Sequence, residues 1–232
     1  MALNIYTHDE FSPSAVCFSQ VRKNKLGGKA VYMTTNSKKL YVQFPYMKAP
    51  FGLGSYTDEA SGKTSYSLDL NIDPNDPSHV ELVKKLNELD DLVVKEVCKN
   101  SENWLGKKYN AAVIKEALYK PIVRPGKEQY PDAIKLKVLR DNNSSKFIPE
   151  AYNHKRERVE LDSIEKGQKV LTIVDINQIW FVDNKCGVSI RLQQVLLAKT
   201  EKLKSFAFKG VEPSEEDEVE DEGSDVEVDV EN

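Results

Sequence analysis

Alternation of apolar and polar residues predicts short β-strands in both halves of the chain. In residues 134–139, apolar residues alternate with Lys135 and Lys137, so one face of that strand is apolar and the other is basic. Residues 168–182 are the most strand-like stretch, and residues 188–198 alternate again. Further strands are predicted at residues 15–21, 30–34, 40–44, 64–70 and 147–152.

A helical pattern interrupts the strands in the middle of the chain. Asp76 offers an N-cap, and Pro77 suits the first helical position. Leucines and valines then recur at steps of three and four as far as Val97, which predicts a long helix with one apolar face. A second, short helix is predicted at residues 110–119, so the helical insertion covers about residues 76–120.

The order of strands, helical insertion and further strands predicts a mainly β domain. We expect an OB-fold barrel, a five-stranded Greek key elaborated by one long and one short helix. In that fold we expect the helix between the third and fourth strands. The domain should span residues 1–199, followed by a linker at 200–211 and an acidic tail at 212–232.

The tail and the rest of the chain carry charges of opposite sign. Residues 212–232 contain twelve carboxylates and no Lys or Arg, which leaves 25 acidic and 33 basic residues in the body, a net charge of about +8. The tail has too few apolar residues to offset its ordering entropy, so we predict that it is disordered. It would compete with other polyanions, such as nucleic acid, for the basic body. An acidic tail also serves solubility alone in other proteins.

Several classes of protein are disfavoured. The chain has no apolar run of about 18 residues and no signal-peptide pattern, so we expect an intracellular protein without a membrane span. Cys17, Cys98 and Cys186 are widely spaced, which argues against a disulfide framework and against a zinc site. We expect no metal and no cofactor.

No motif in the sequence supports catalysis. Gly62-Lys63-Thr64 resembles the end of a phosphate-binding loop, but Thr57 stands where the first glycine is needed and a strand follows. The three histidines have no Ser or Cys partner in a recognised motif. We therefore expect a protein that is not an enzyme.

Aromatic and basic residues are interleaved around residues 44–61, which we expect to form an unusual loop. Aromatic platforms inside a cationic groove bind single strands without sequence preference. The residues concerned are Tyr41, Phe44, Tyr46, Phe51 and Tyr56 beside Lys38, Lys39, Lys48 and Lys63.

The chain resembles the single-stranded-DNA-binding proteins of short-tailed bacteriophages and their relatives in large nucleocytoplasmic DNA viruses. The shared features are the basic strands, the Pro50-Phe51-Gly52 loop, the helical insertion, the strand 187–192 and the acidic tail. The resemblance implies an OB fold and sequence-independent binding of single-stranded DNA in replication, recombination and repair. It also implies homodimers and, for a viral protein, the host nucleus or cytoplasm. The phage proteins end in an aromatic residue, whereas this chain ends in Asn232.

The same resemblance implies site residues. Base stacking would come from Tyr41, Phe44, Tyr46, Phe51 and Trp180. Phosphate contacts would come from Lys48, Lys135, Lys137, Arg140 and Arg191. The tail would occupy the DNA groove when DNA is absent and would contact a polymerase or helicase through Glu215, Glu216, Asp217, Glu218, Glu220, Asp221 and Glu222.

Three alternatives remain open. The tail could itself bind basic proteins, as in an acidic-tail chaperone. The barrel could bind RNA, because stacking platforms do not distinguish the sugar. The protein could also be an enzyme, and a deep pocket that holds a pair of carboxylates with strongly perturbed pKa values would support that alternative.

Overall fold

This computed structural model describes residues 4–23, 28–141, 143–200, 207 and 209–210. Strands are the main secondary structure in this part of the chain. The strands are β1 (Ile5–Thr7), β2 (Cys17–Phe18), β3 (Arg22–Lys23), β4 (Lys29–Thr35), β5 (Lys38–Lys39), β6 (Tyr41–Gln43), β7 (Met47–Ala49), β8 (Leu53–Thr57), β9 (Thr64–Asn71), β10 (Tyr119–Lys120), β11 (Val123–Arg124), β12 (Ala133–Val138), β13 (Glu150–Tyr152), β14 (Arg158–Val159), β15 (Gln168–Val182) and β16 (Lys185–Leu197). The α-helices are α1 (Pro77–Lys99), α2 (Ser101–Leu105) and α3 (Ala111–Val113), the last continued by a π-helical turn at Ile114–Leu118.

Five strands close into a barrel. β7, β9, β12, β16 and β15 pair in that spatial order, and β15 then pairs with β7 to complete the ring. Only the β12–β16 pair in the ring is parallel. This closed Greek-key arrangement is the predicted OB-fold barrel. The structure forms one unit over Met1–Lys199, and the predicted acidic tail lies outside the described residues.

The helical insertion is present but is placed differently from the prediction. α1 lies between β9 and β12, the second and third strands of the ring along the chain, not between the third and fourth. α1 begins where Asp76 caps it, with Asp76 Oδ1 accepting the Ser78 N–H at 2.9 Å. Its leucine and valine stripe is fully buried at Leu82, Leu86 and Val93, so the apolar face packs into the core as predicted.

Some of the predicted strands and loops require correction. Residues 44–61 are not one loop, because they contain β7 and β8, which both pair with β9. The predicted strands 30–34 and 40–44 are consecutive along the chain but are not neighbours in the sheet, since β6 pairs with β1 and β15 and not with β4. Of the predicted strand 15–21, only β2 is a strand, and β3 begins one residue after its end; between the two, the Ser19 hydroxyl accepts the Tyr32 N–H at 3.0 Å. The short helix α2 carried no clear sequence signal.

Residues 168–182 form β15 as predicted, and β16 begins at Lys185, three residues before the predicted alternation that starts at residue 188. The turn consists of Asp183 and Asn184, both with positive φ (47° and 62°). Two such residues favour a hairpin turn whose twist matches that of the flanking strands.

Within the described residues, no helix is both long and apolar enough to cross a membrane.

A buried carboxyl group joins α1 to the segment after the second helical region. Asp90 accepts the Tyr119 hydroxyl at 2.5 Å through Oδ1 and the Ile122 N–H at 3.1 Å through Oδ2. Burial raises the pKa of Asp90 to about 6, in spite of these hydrogen bonds. The Asp90 carboxyl group therefore anchors Tyr119 and Ile122 to α1. Because it is buried, its ionised form lowers the stability of the fold.

We expect stability to rise as the pH falls through the folded-state pKa of Asp90. The folded protein binds a proton near pH 6, whereas the unfolded chain binds it near pH 4, so the free energy of unfolding should increase by about 1 kcal/mol from pH 7 to pH 5. Urea unfolding of the wild type and of Asp90→Asn at both pH values measures this difference. Parallel pH dependence in the two proteins would contradict it.

Candidate nucleic-acid interface

A line of directly paired residues crosses the outer surface of the barrel. Paired residues on neighbouring strands project to the same face, and their neighbours along β12, Leu136 and Val138, lie in the core. We call this line the cross-barrel row. Its members, from β1 to β9, are Ile5, Tyr41, Asp175, Arg191, Lys137 and Ser67.

Three cations lie close together at the β9 end of the cross-barrel row: Arg191, Lys137 and the neighbouring Lys63. Partial burial and the nearby positive charges of Arg191 and Lys63 lower the pKa of Lys137. In the described part of the chain, none of the three forms an ion pair with a carboxylate, and the buried Arg191 Nε has no hydrogen-bond partner. Mutual repulsion, with no described carboxylate at ion-pair distance, makes this cluster suited to an external anion.

A cleft of about 510 Å³ continues from these cations, and Lys63, Tyr66, Lys137 and Arg140 are among the residues that line it. The guanidinium of Arg140 donates to the Tyr66 hydroxyl at 2.9 Å and lies 5.6 Å from the centre of the Tyr66 ring. Phe147 packs edge-on against Tyr66, with ring centroids 5.0 Å apart. Arg140 is therefore held in a fixed orientation at the cleft by two aromatic rings.

Asp175 is the single acid of the cross-barrel row. Its side chain is nearly buried, with the residue 3% exposed, and burial raises its pKa although Lys39 and Arg191 oppose this. Asn177 donates to Asp175 Oδ2 at 3.1 Å, whereas Oδ1 has no hydrogen-bond partner among the described residues. The row thus combines a partly exposed ring, one carboxyl group and two cations.

The structure brings together four of the residues expected to bind nucleic acid. Tyr41, Lys137 and Arg191 lie in the cross-barrel row, and Arg140 lies in the adjoining cleft. Lys135 projects from the same face of β12, two residues before Lys137, where it pairs with Asp69 on β9.

Two further expected residues lie at a separate depression of about 420 Å³. Tyr46, which is 45% exposed, and Lys48 line it together with Lys169 and His79. The Tyr46 carbonyl lies 2.8 Å from Nε2 of the buried His79 ring, which links this segment to the start of α1. Lys48 is the cross-strand neighbour of Lys169, so a second pair of cations lies here.

The remaining aromatic candidates differ in accessibility. Phe44 requires correction, because its side chain is fully buried in the core (0% exposed) and has no free face for a base. Phe51 is 62% exposed at the bend between β7 and β8. That bend requires Gly52, whose φ is +63° and whose added Cβ would lie 2.5 Å from the Ile164 carbonyl oxygen. Trp180 is partly buried against Gly187.

Sequence reasoning did not assign Tyr66, Phe147 or Asp175 to the site. Asp175 had a visible signal, since a carboxylate inside the apolar run of β15 is unusual. The contact between Arg140 and Phe147 spans the turn after β12 and could not be inferred from spacing. The described residues contain no group of three or more His, Cys, Asp or Glu side chains that could hold a metal ion.

Two solved structures provide comparisons for the fold. The chain is similar to gp2.5, a single-stranded DNA binding protein encoded by bacteriophage T7, with 17% identity, a TM-score of 0.46, and coverage of 82% of this chain and 100% of that chain. It is also similar to the single-stranded DNA-binding protein from bacteriophage Enc34 in complex with ssDNA, with 15% identity and a TM-score of 0.41. That match covers 78% of this chain and 96% of the Enc34 chain. At this level of similarity the function has to be argued from this chain's own residues.

No curated protein matches the chain in sequence. A family model matches residues 70–209. This region begins at the last two residues of β9 and contains the helical insertion and the strands β10 to β16. The matched region also includes Lys137, Arg140, Asp175 and Arg191 of the candidate interface. On that match the protein belongs to the family described as "Family of unknown function (DUF5871)".

Proposed function

We propose that the protein binds single-stranded DNA on the outer face of the barrel, without catalysing a reaction. The observation that carries the proposal is the cross-barrel row, in which Arg191 and Lys137 form no ion pair with any carboxylate of the described residues and Tyr41 lies on the same face. Cations without counter-charges attract phosphates, and partly exposed rings stack on unpaired bases.

The shape of this surface supports a single strand as the ligand. The row crosses paired strands of a barrel face, and the adjoining cleft is lined by β9 and β12 and the turn after β12. A flexible strand can follow such a face, whereas reading a duplex commonly requires a helix or a β-ribbon placed in its major groove. The sequence resemblance supports DNA over RNA, and competition between matched DNA and RNA oligomers tests that preference.

We extend the proposal to the cellular role and to the tail. The protein would act inside the cell in DNA replication, recombination and repair, as a homodimer, and the sequence resemblance favours a viral origin. Residues 212–232 would compete with DNA for the basic body and would recruit a polymerase or helicase when DNA displaces them. The charge contrast between tail and body supports this step.

Neutralising the row should weaken binding and its dependence on salt. We expect Lys137→Gln and Arg191→Gln each to reduce affinity for labelled oligo(dT) about five- to tenfold near 0.1 M salt, and to lower the slope of log affinity against log salt by about 1. Fluorescence anisotropy at several salt concentrations measures both effects. Lys95→Gln, on the exposed side of α1, is the matched control. Unchanged affinity and slope in both row variants would refute the assignment.

Removing the negative charge of Asp175 should strengthen binding. We expect Asp175→Asn to bind oligo(dT) several-fold more tightly at pH 8, because an ionised carboxylate in the row repels phosphate. Since burial raises the pKa of Asp175 and a bound polyanion favours its protonated form, wild-type affinity should rise more steeply from pH 8 to pH 6 than that of the variant. Glu88→Gln on α1 is the control, and equal pH dependence in all three proteins would count against this role.

Deleting the tail should also strengthen DNA binding, most clearly at low salt. We expect residues 1–211 to bind oligo(dT) at least several-fold more tightly than the full chain, because the competing polyanion is lost. A full-length control carries amides in place of Glu215, Glu216, Asp217, Glu218, Glu220, Asp221 and Glu222, and it should behave similarly. Unaltered DNA affinity, together with loss of binding to a basic protein such as a histone, would favour the chaperone alternative.

A further inference from the structure

A second surface with a different chemical character lies beside the cross-barrel row. One step along the strands, Gln43, Ile173, Gln194 and Glu150 are paired in a line across β6, β15, β16 and β13. The next line on the same face includes Tyr152, which pairs with Leu196. We call Tyr41, Gln43, Tyr152, Ile173 and Gln194 the amide patch.

The amide patch borders two shallow depressions. One of about 270 Å³ is lined by residues that include Ile5, Tyr41, Ile173 and Gln194. The other, of about 210 Å³, shares Ile173 and Gln194 and is bounded by Gln43 and Tyr152. Partly exposed rings, an aliphatic side chain and carboxamides therefore line one continuous surface.

Charge separates the amide patch from the cationic end of the row. Glu150 lies at its edge and accepts the Tyr152 hydroxyl at 2.8 Å and Gln194 Nε2 at 3.1 Å. The same carboxylate forms an ion pair with Arg158 at 3.4 Å. Arg156 is the one cation among the residues that line the two depressions. A phosphate is therefore less favoured here than beside Lys137 and Arg191.

We infer that the amide patch is a nucleobase-binding subsite, which receives bases while the phosphates follow the cations of the cross-barrel row. This inference rests on the proposed function. Residues two apart along a strand are about 7 Å apart, so a strand whose phosphates lie over one line can extend its bases over the next. The occupant is the bases of the bound single strand.

The chemistry of the amide patch matches bases better than phosphates. A carboxamide offers a donor and an acceptor together, as the edges of bases do, whereas phosphate oxygens only accept. The rings of Tyr41 and Tyr152 provide faces on which bases stack. The hydrogen bond to Glu150 restricts the orientation of Gln194, so that side chain is partly preorganised.

Oligonucleotides without bases separate this subsite from the phosphate row. We expect the wild type to bind oligo(dT) at least tenfold more tightly than an abasic oligomer with the same number of phosphates. The double variant Gln43→Ala with Gln194→Ala should lose about tenfold affinity for oligo(dT) and less than twofold for the abasic oligomer. Gln129→Ala, an exposed glutamine outside the amide patch, should change neither.

A second variant guards against an indirect effect on folding. Gln43 makes no side-chain hydrogen bond to the described residues, so Gln43→Leu should preserve the unfolding curve and still weaken oligo(dT) binding selectively. Equal effects of the variants on both oligomers, or none on either, would overturn the subsite. A wild type that binds both oligomers equally would also overturn it while leaving the phosphate row intact. A wild type that binds neither would overturn the proposed function itself.

Discussion

The long antiparallel pairing of β15 with β16 is the interaction on which the rest of the structure depends. It runs from Val170 paired with Leu197 to Val182 paired with Lys185. β15 also pairs with β4, β6 and β7, and β16 with β10, β12 and β13, so nearly every part of the sheet attaches to this hairpin. Loss of its register would move its apolar residues from the core to solvent.

Two irregularities in that pairing shape the candidate interface. The register shifts between Ile173 and Val174 and again between Ile176 and Gln178. Bulges of this kind re-aim side chains and increase local twist. Asp175 lies between the two shifts, in line with Tyr41 and Arg191, and is nearly as buried as its neighbours Val174 and Ile176. The cost is visible as buried polar atoms on Asp175, Asn177 and Arg191 that have no hydrogen-bond partner in the described part of the chain.

The core and the candidate interface lie on opposite faces of the same strands. β12 shows this directly, since Ile134, Leu136 and Val138 are buried while Lys135 and Lys137 are exposed. The apolar face of α1 packs into the core on the buried side of these strands. The N-cap at Asp76 and the hydrogen bond from Tyr119 to the buried Asp90 anchor the helix. The outer side carries the charged and carboxamide groups of the candidate interface.

The sequence by itself determined the elements with strong periodicity or strong local chemistry. The alternation in β12 and β16, the leucine stripe of α1 and its Asp76 cap required no knowledge of the partners, because period and capping are local properties. The expectation of an OB barrel followed from the order of these elements. The contrast in charge between body and tail was equally a property of composition.

Only the tertiary structure decided which of the expected site residues share a surface. Phe44 and Tyr46 are two residues apart in sequence, yet one is in the core and the other is exposed, since an irregular segment between β6 and β7 breaks the alternation. Tyr41, Arg191 and Lys137 meet through strand pairings between residues up to 134 positions apart. Register between such distant strands depends on bulges, turns and core packing taken together, which no local pattern contains.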